Sequence, residues 1–322
     1  MFRTALPLAR QWHRPLMLAT ALMAVSTLAS LAGLVFDDRL LGGQPIWAKP
    51  LKFSVSLLLY LPTWAWLLSL QRVPRRWTWW TATAIAVLTT LEVVLIVLQV
   101  IRGQASHFNQ ATPFDDGLFQ LMGAMITVVW VLNMAQGVVL LRDRLPDRPM
   151  AWAIRGGIVL GSIGIGLAFL MTGPTPDQLH ALQQNLPVEM RGAHSVGVPD
   201  GGPGMPLTGW SLTGGDLRIP HFIGIHAMQA LPLLALLLTG AAARRPRLAD
   251  PGVRARLVLL GTGVYAGLLG LVTWQALRGQ SIAAPDAWTL LALGALVLAT
   301  GLLAGRILRR TPDPVAEPVP LG

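Results

Sequence analysis

Eight apolar runs, each close to the length that crosses a lipid hydrocarbon core, leave this chain few ways to fold. A spanning helix needs about 20 mostly apolar residues. The runs are Pro15 to Phe36, Leu51 to Leu70, Trp77 to Ile101, Gly117 to Leu141, Ala151 to Thr172, Ile219 to Gly240, Arg256 to Leu277 and Ala287 to Gly305. Lipid offers backbone N–H and C=O groups no partner, so such runs must close their own hydrogen bonds as helices. The expected fold is an all-α integral membrane protein with eight transmembrane helices and the lipid bilayer as its principal partner. A composition of 53% hydrophobic and 12% charged residues, unlike that of a soluble domain, agrees.

A formal charge of +10 would suggest nucleic acid in a soluble protein. Here the basic residues cluster in short loops between alternate runs, as the positive-inside rule requires, and no nucleic-acid partner is expected. With the amino terminus cytoplasmic, only Arg39, Lys49, Lys52, Arg102, Arg191, Arg218 and Arg278 fall outside. Both termini are therefore read as cytoplasmic, in the cell (inner) membrane. Trp77, Trp79, Trp80 and Trp152 at inner boundaries, with Trp47, Trp274 and Trp288 at outer ones, match interfacial aromatic belts. The first run is longer than a secretory signal core and is expected to stay as a span. The chain has no cysteine, which removes disulfides, thiolate metal sites and cysteine nucleophiles.

The pattern Gln-x-x-Arg-Gly-Gln occurs twice, as Gln99, Arg102, Gly103, Gln104 and as Gln275, Arg278, Gly279, Gln280, each time closing a run. Arg14, Pro15, Gly33, Leu34 and Phe36 resemble Arg148, Pro149, Gly166, Leu167 and Phe169. Lys49, Lys52 and Phe53 resemble Arg218, His221 and Phe222. These matches predict two tandem four-helix halves in the same orientation, residues 1–145 and 146–310. A tail at 311–322, with Pro312, Pro314, Pro318 and Pro320, reads as a disordered cytoplasmic linker. Short matches also arise by coincidence in apolar sequence, and eight helices without internal symmetry are the alternative.

One connection, 173–217, is too long to be a turn. Thr175, Pro176 and Asp177 open a short helix by the preference for an oxygen cap and an early proline. Gly201, Gly202, Pro203, Gly204 and Pro206 then favour irregular chain. The segment reads either as a lid over an outer-side pocket or as a solvated insertion.

Polar side chains inside spans turn toward protein or water. At about 100° per residue, Lys49, Lys52, Ser56, Tyr60 and Thr63 share an arc of about 80° on the second helix. Glu92, Gln99, Arg102 and Ser106 share one face of the third, bordered by Thr89. Glu92 is the acidic residue deepest in a span, at an insertion cost of about 2 to 3 kcal/mol, and Lys52, Arg102 and Arg278 are its candidate partners. Arg218, His221, His226 and Gln229 share an arc of about 140° on the sixth.

The spacing of His221 and His226 disfavours a helical metal pair, because two ligands on one helix sit three or four residues apart. With His107 they remain candidate metal ligands; as packing residues they would be hydrogen-bonded instead. His13, His180 and His194 read as solvated. Gly157 with Gly161, and Gly263 with Gly267, have the spacing for close helix packing.

Lys49, Lys52, Arg102, His107, Arg218, His221 and Arg278 all lie near outer helix ends. Cations converging near an apolar wall favour an anionic or amphipathic small molecule, although any one of them could instead snorkel to head groups. No Gly-Lys-Ser phosphate loop, His-Glu-x-x-His motif, Rossmann fingerprint or Gly-x-Ser-x-Gly elbow occurs.

Two functions follow. One is a binding protein or transporter whose ligand meets Lys49, Lys52, Glu92, Gln99, Arg102, His107, Arg218, His221, His226, Gln229 and Arg278, with Glu92 able to couple a proton. The other is an oxidoreductase-type membrane enzyme holding haem or a metal ion through His107, His221 and His226. In layout, eight helices in two four-helix halves, the chain resembles haem A synthases. The histidines of that family lie on the second, fourth, sixth and eighth helices, and here the second, fourth and eighth have none. The resemblance therefore transfers no residue.

Overall fold

The computed structural model describes residues 12–71, 75–143, 145 and 147–309. The expected tail at 311–322, and the basic residues Arg3, Arg10, Arg72, Arg144 and Arg310, lie outside the described residues.

The chain is mainly helical. Helix α1 spans Arg14–Phe36, α2 Ala48–Ser69, α3 Arg76–Arg102, α4 Pro113–Arg142 and α5 Arg148–Leu167, which runs on into a 3-10 turn, Ala168–Met171. The short α6, Pro176–Gln183, is followed by α7 Arg218–Ile225, α8 Ala227–Ala241, α9 Pro251–Leu277 and α10 Ala287–Arg309. Among the described residues seven helices are long and apolar enough to cross a membrane. The pair α7 and α8, bent by 46°, makes an eighth if it is one span.

Five helices, α1, α4, α5, α6 and α9, start by one recipe, an oxygen or nitrogen acceptor at the cap with proline in the first turn. Thr112 caps α4, Asp147 caps α5, Asp250 caps α9, and Thr175 with Gln178 forms a reciprocal capping box on α6. His13, expected in solvent, instead caps α1 by accepting from the Leu16 amide at 3.3 Å.

The expected sixth span does not form one straight helix. It bends at His226, just after Gly224 crosses α5 so closely that a Cβ there would lie 2.3 Å from the Gly164 Cα. His221 and His226 consequently sit on different helices. Gly157 and Gly161 do permit close packing, against Ala227 and Met228 of α8. Of the second pair, Gly267 meets Leu296 but Gly263 meets nothing, so only one of the two works as expected.

Helix α1 packs on α2 and α3, α2 on α3, and α3 on α4. In the later part of the chain α5 packs on α7, α8 and α9, α9 on α7 and α8, and α9 on α10. The two sets meet where α4 touches α5 and α2 touches α8.

The long connection is less irregular than its glycines and prolines suggest. Ser195–Val196 pairs antiparallel with Gly215–Asp216, and isolated bridges join Asn109 to Met190 and Gly204 to Ser211. Most of the boundary tryptophans are exposed at helix ends, but the Trp47 indole donates to Asp37 and packs on Gly33.

Candidate functional site

A cavity of about 250 Å³ lies between the two sets of helices. Its apolar walls come from Phe53, Met122, Ile126, Val129, Ile165 and Phe222, and its polar groups include Lys49, Glu92, His107, His194, Arg218 and His221. Lys49 and Arg218 stand in the first turns of α2 and α7, which places both cations at the end of the bundle carrying the long connection. Ser56, Tyr60 and Thr89 line it deeper in the bundle.

Five of the expected site residues therefore meet there: Lys49, Glu92, His107, Arg218 and His221. Two more adjoin them, since His226 bonds Ser56 at 3.2 Å and Gln229 donates to Thr63 at 3.2 Å. The polar stripe of α2 thus faces α8, and its Tyr60 hydroxyl donates to the buried Asn133 at 2.6 Å.

Four expected residues do not reach the cavity. Lys52 donates to the Thr208 carbonyl at 2.8 Å. Gln99 and Arg102 both donate to Asp115, at 2.8 and 2.6 Å, and Arg278 pairs with Asp286 at 2.5 Å. These are helix-end locks. Gly103 and Gly279 take left-handed φ values of 69° and 70°, and Gln99 and Gln275 each reach past the glycine to a carbonyl, of Ala105 and Ser281. The repeated motif is a cap, and its charge is spent on the first turn or approach of the next helix.

None of the three proposed partners of Glu92 serves it, because Lys52, Arg102 and Arg278 are engaged elsewhere. Glu92 is 2% exposed and neither carboxyl oxygen has a hydrogen-bond partner among the described residues. Its nearest charged or titratable neighbour is His107, whose Nε2 lies 3.5 Å from Oε1, too long for a good hydrogen bond. The His107 Nδ1 lies 3.1 Å from the Ser106 hydroxyl. Burial, then the positive field of Lys49, holds His107 well below the usual histidine range, so the ring is neutral at pH 7.

His221 is oriented by the close crossing. Its Nδ1 donates to the Gly164 carbonyl at 2.7 Å, which fixes the tautomer and leaves the Nε2 lone pair free. A Cβ on Gly164 would sit 2.4 Å from Gly224, so only glycine lets this carbonyl approach.

The connection 173–217, expected either as a lid or as a solvated insertion, supplies a wall of the cavity through His194, a residue expected in solvent. His194 lines the cavity and its Nδ1 contacts Asp200 at 3.0 Å. Burial lowers the His194 pKa against the raising effect of that carboxylate. Burial raises Asp200, but bonds from His194 and the Ser195 amide outweigh it and hold the carboxyl below its ordinary value. Phe108, at a left-handed φ of 64°, packs edge-on against His194 with ring centres 4.9 Å apart. Gly192 closes over it, where a Cβ would meet the Phe108 ring at 2.7 Å. His194, Asp200 and Phe108 were missed because they lie outside any periodic segment. Turn closure alone brings the histidine to the carboxylate.

The metal candidates do not converge. His107 faces Ser106 and Glu92, His221 faces Gly164, and His226 faces Ser56. Among the described residues no three His, Asp or Glu side chains are grouped to hold a metal ion. No protein-family model matches the chain, and neither a curated protein nor a solved structure is detectably similar to it.

Proposed function

We propose that this chain is an eight-span protein of the cell (inner) membrane, with both termini cytoplasmic, that binds an anionic amphipathic small molecule in the cavity between two tandem four-helix halves. The observation that carries the reading is Lys49. It stands at the polar end of an apolar cavity and makes no hydrogen bond or ion pair among the described residues. A carboxylate or phosphate would complete it, and an alkyl or aryl body would cover Phe53, Met122 and Phe222. Arg218 adds little net charge, because Asp216 holds it at 2.6 Å.

Two observations support the tandem halves: the matching glycine caps after α3 and α9, and the matching order of helix contacts in each set. Basic loops at one end and the long connection at the other support the cavity opening outward. A site at the seam of two repeats suits a transporter, with Glu92 able to carry a coupled proton. The haem or metal alternative is less favoured, because its three histidines face different partners.

Decyl phosphate binding to protein in phosphatidylcholine nanodiscs tests this reading. Wild-type protein should bind it in preference to decyl maltoside, and Lys49→Ala should weaken binding about tenfold, the size of one charge-assisted hydrogen bond. Equal binding of the two amphipaths, or no effect of the substitution, overturns the proposal.

A further inference from the structure

Among the described residues, three polar groups facing this cavity lack complete partners, and they are not all of one kind. Lys49 is a donor. Glu92 offers two buried oxygens with no hydrogen bond, and His221 offers Nε2, an acceptor because its ring proton is committed to Gly164. Buried polar atoms such as the two Glu92 oxygens are normally satisfied, and leaving them bare is costly. Lys49 and Glu92 attract one another across the cavity but make no ion pair among the described residues, and His107 stands too far from Glu92 to close a bond.

A purely anionic head group would answer Lys49 alone and would leave both Glu92 oxygens and the His221 Nε2 without a donor. From this mismatch we infer that the ligand is zwitterionic: an amphipath whose oxyanion meets Lys49 and whose primary ammonium meets Glu92 and His221. This rests on the anionic-amphipath reading above and adds the second half of the head group. An ammonium carries three donors, enough for Glu92 and His221 together, whereas a quaternary ammonium has none. The same chemistry occurs on an aminophospholipid head group and on a free amino acid with an apolar side chain.

The test compares four probes in phosphatidylcholine nanodiscs: decyl phosphate, lysophosphatidylethanolamine, lysophosphatidylcholine and phenylalanine. Lysophosphatidylethanolamine should bind about tenfold or more tighter than lysophosphatidylcholine. Glu92→Gln and His221→Asn should each erase most of that preference, with unchanged helical circular dichroism and gel-filtration profile showing that the variants are folded; a preference unchanged in both variants overturns the inference. Phenylalanine binding with the same dependence on both variants would identify a free amino acid as the source and sustain the inference. Equal affinity for the two lysophospholipids, together with no phenylalanine binding, overturns the zwitterion while leaving the anion reading in place. Failure of decyl phosphate to bind defeats that earlier reading instead.

Discussion

His107 and His194 show how single residues at the cavity rim are set by what surrounds them. Both are held below the ordinary histidine pKa by burial, so the folded protein keeps them neutral where the unfolded chain would protonate them. The unfolded state therefore binds more protons beneath about pH 6.5. Stability is complete above that value and falls as the pH drops, until the folded rings also protonate. Thermal unfolding in detergent should show this loss between about pH 6.5 and 5, at up to about 1.4 kcal/mol per unit for each histidine. His107→Gln should flatten the profile, and an unchanged slope would refute the assignment. Asp200 titrates in a separate window, since its unfolded pKa is near 3.9 and its folded value is lower. That Glu92 would turn inward was legible from hydropathy. Its neighbour was not, because nothing in the order of residues says that the loop after α3 folds His107 back over it.

At the level of elements, the close crossing of α5 and α7 links packing to the site. Gly164→Ala puts a methyl 2.4 Å from the Gly224 carbonyl carbon, a clash with backbone that no side chain can relieve. The expected cost is about 1 to 3 kcal/mol, the usual range for overpacking. Because the shift also moves the carbonyl that orients His221, the preference between the two lysophospholipids should fall. Wild-type stability and binding in this variant would show that the helices can separate freely. The Gln-x-x-Arg-Gly-Gln ends carry the opposite lesson. Their residues are conspicuous as intramembrane polar groups, yet Asp115 and Asp286 lie at the start of the next helix and consume the charge. Spacing along one helix reveals which side chains share a face, but not which neighbouring helix end presents an acceptor to it.

For the whole molecule, orientation decides which side the cavity opens to. The absence of native cysteine allows single cysteines to report on it without background. Leu207, 93% exposed on the long connection, and Ala249, exposed between α8 and α9, lie toward opposite ends. A membrane-impermeant maleimide should label Leu207→Cys in intact cells and Ala249→Cys only after permeabilisation; the reverse pattern would invert the topology. Seven of the spans, the Thr175 cap of α6 and the inward turn of Glu92 and of the α2 stripe follow from the order of residues alone, because lipid forces every backbone bond to close locally and expels polar side chains toward the interior. The bend at His226, the wall contributed by His194 and the division of cations between cavity and caps were decided by tertiary packing. Each of these depends on contacts between residues far apart in the chain, and one helix's periodicity carries no information about the surface it will meet.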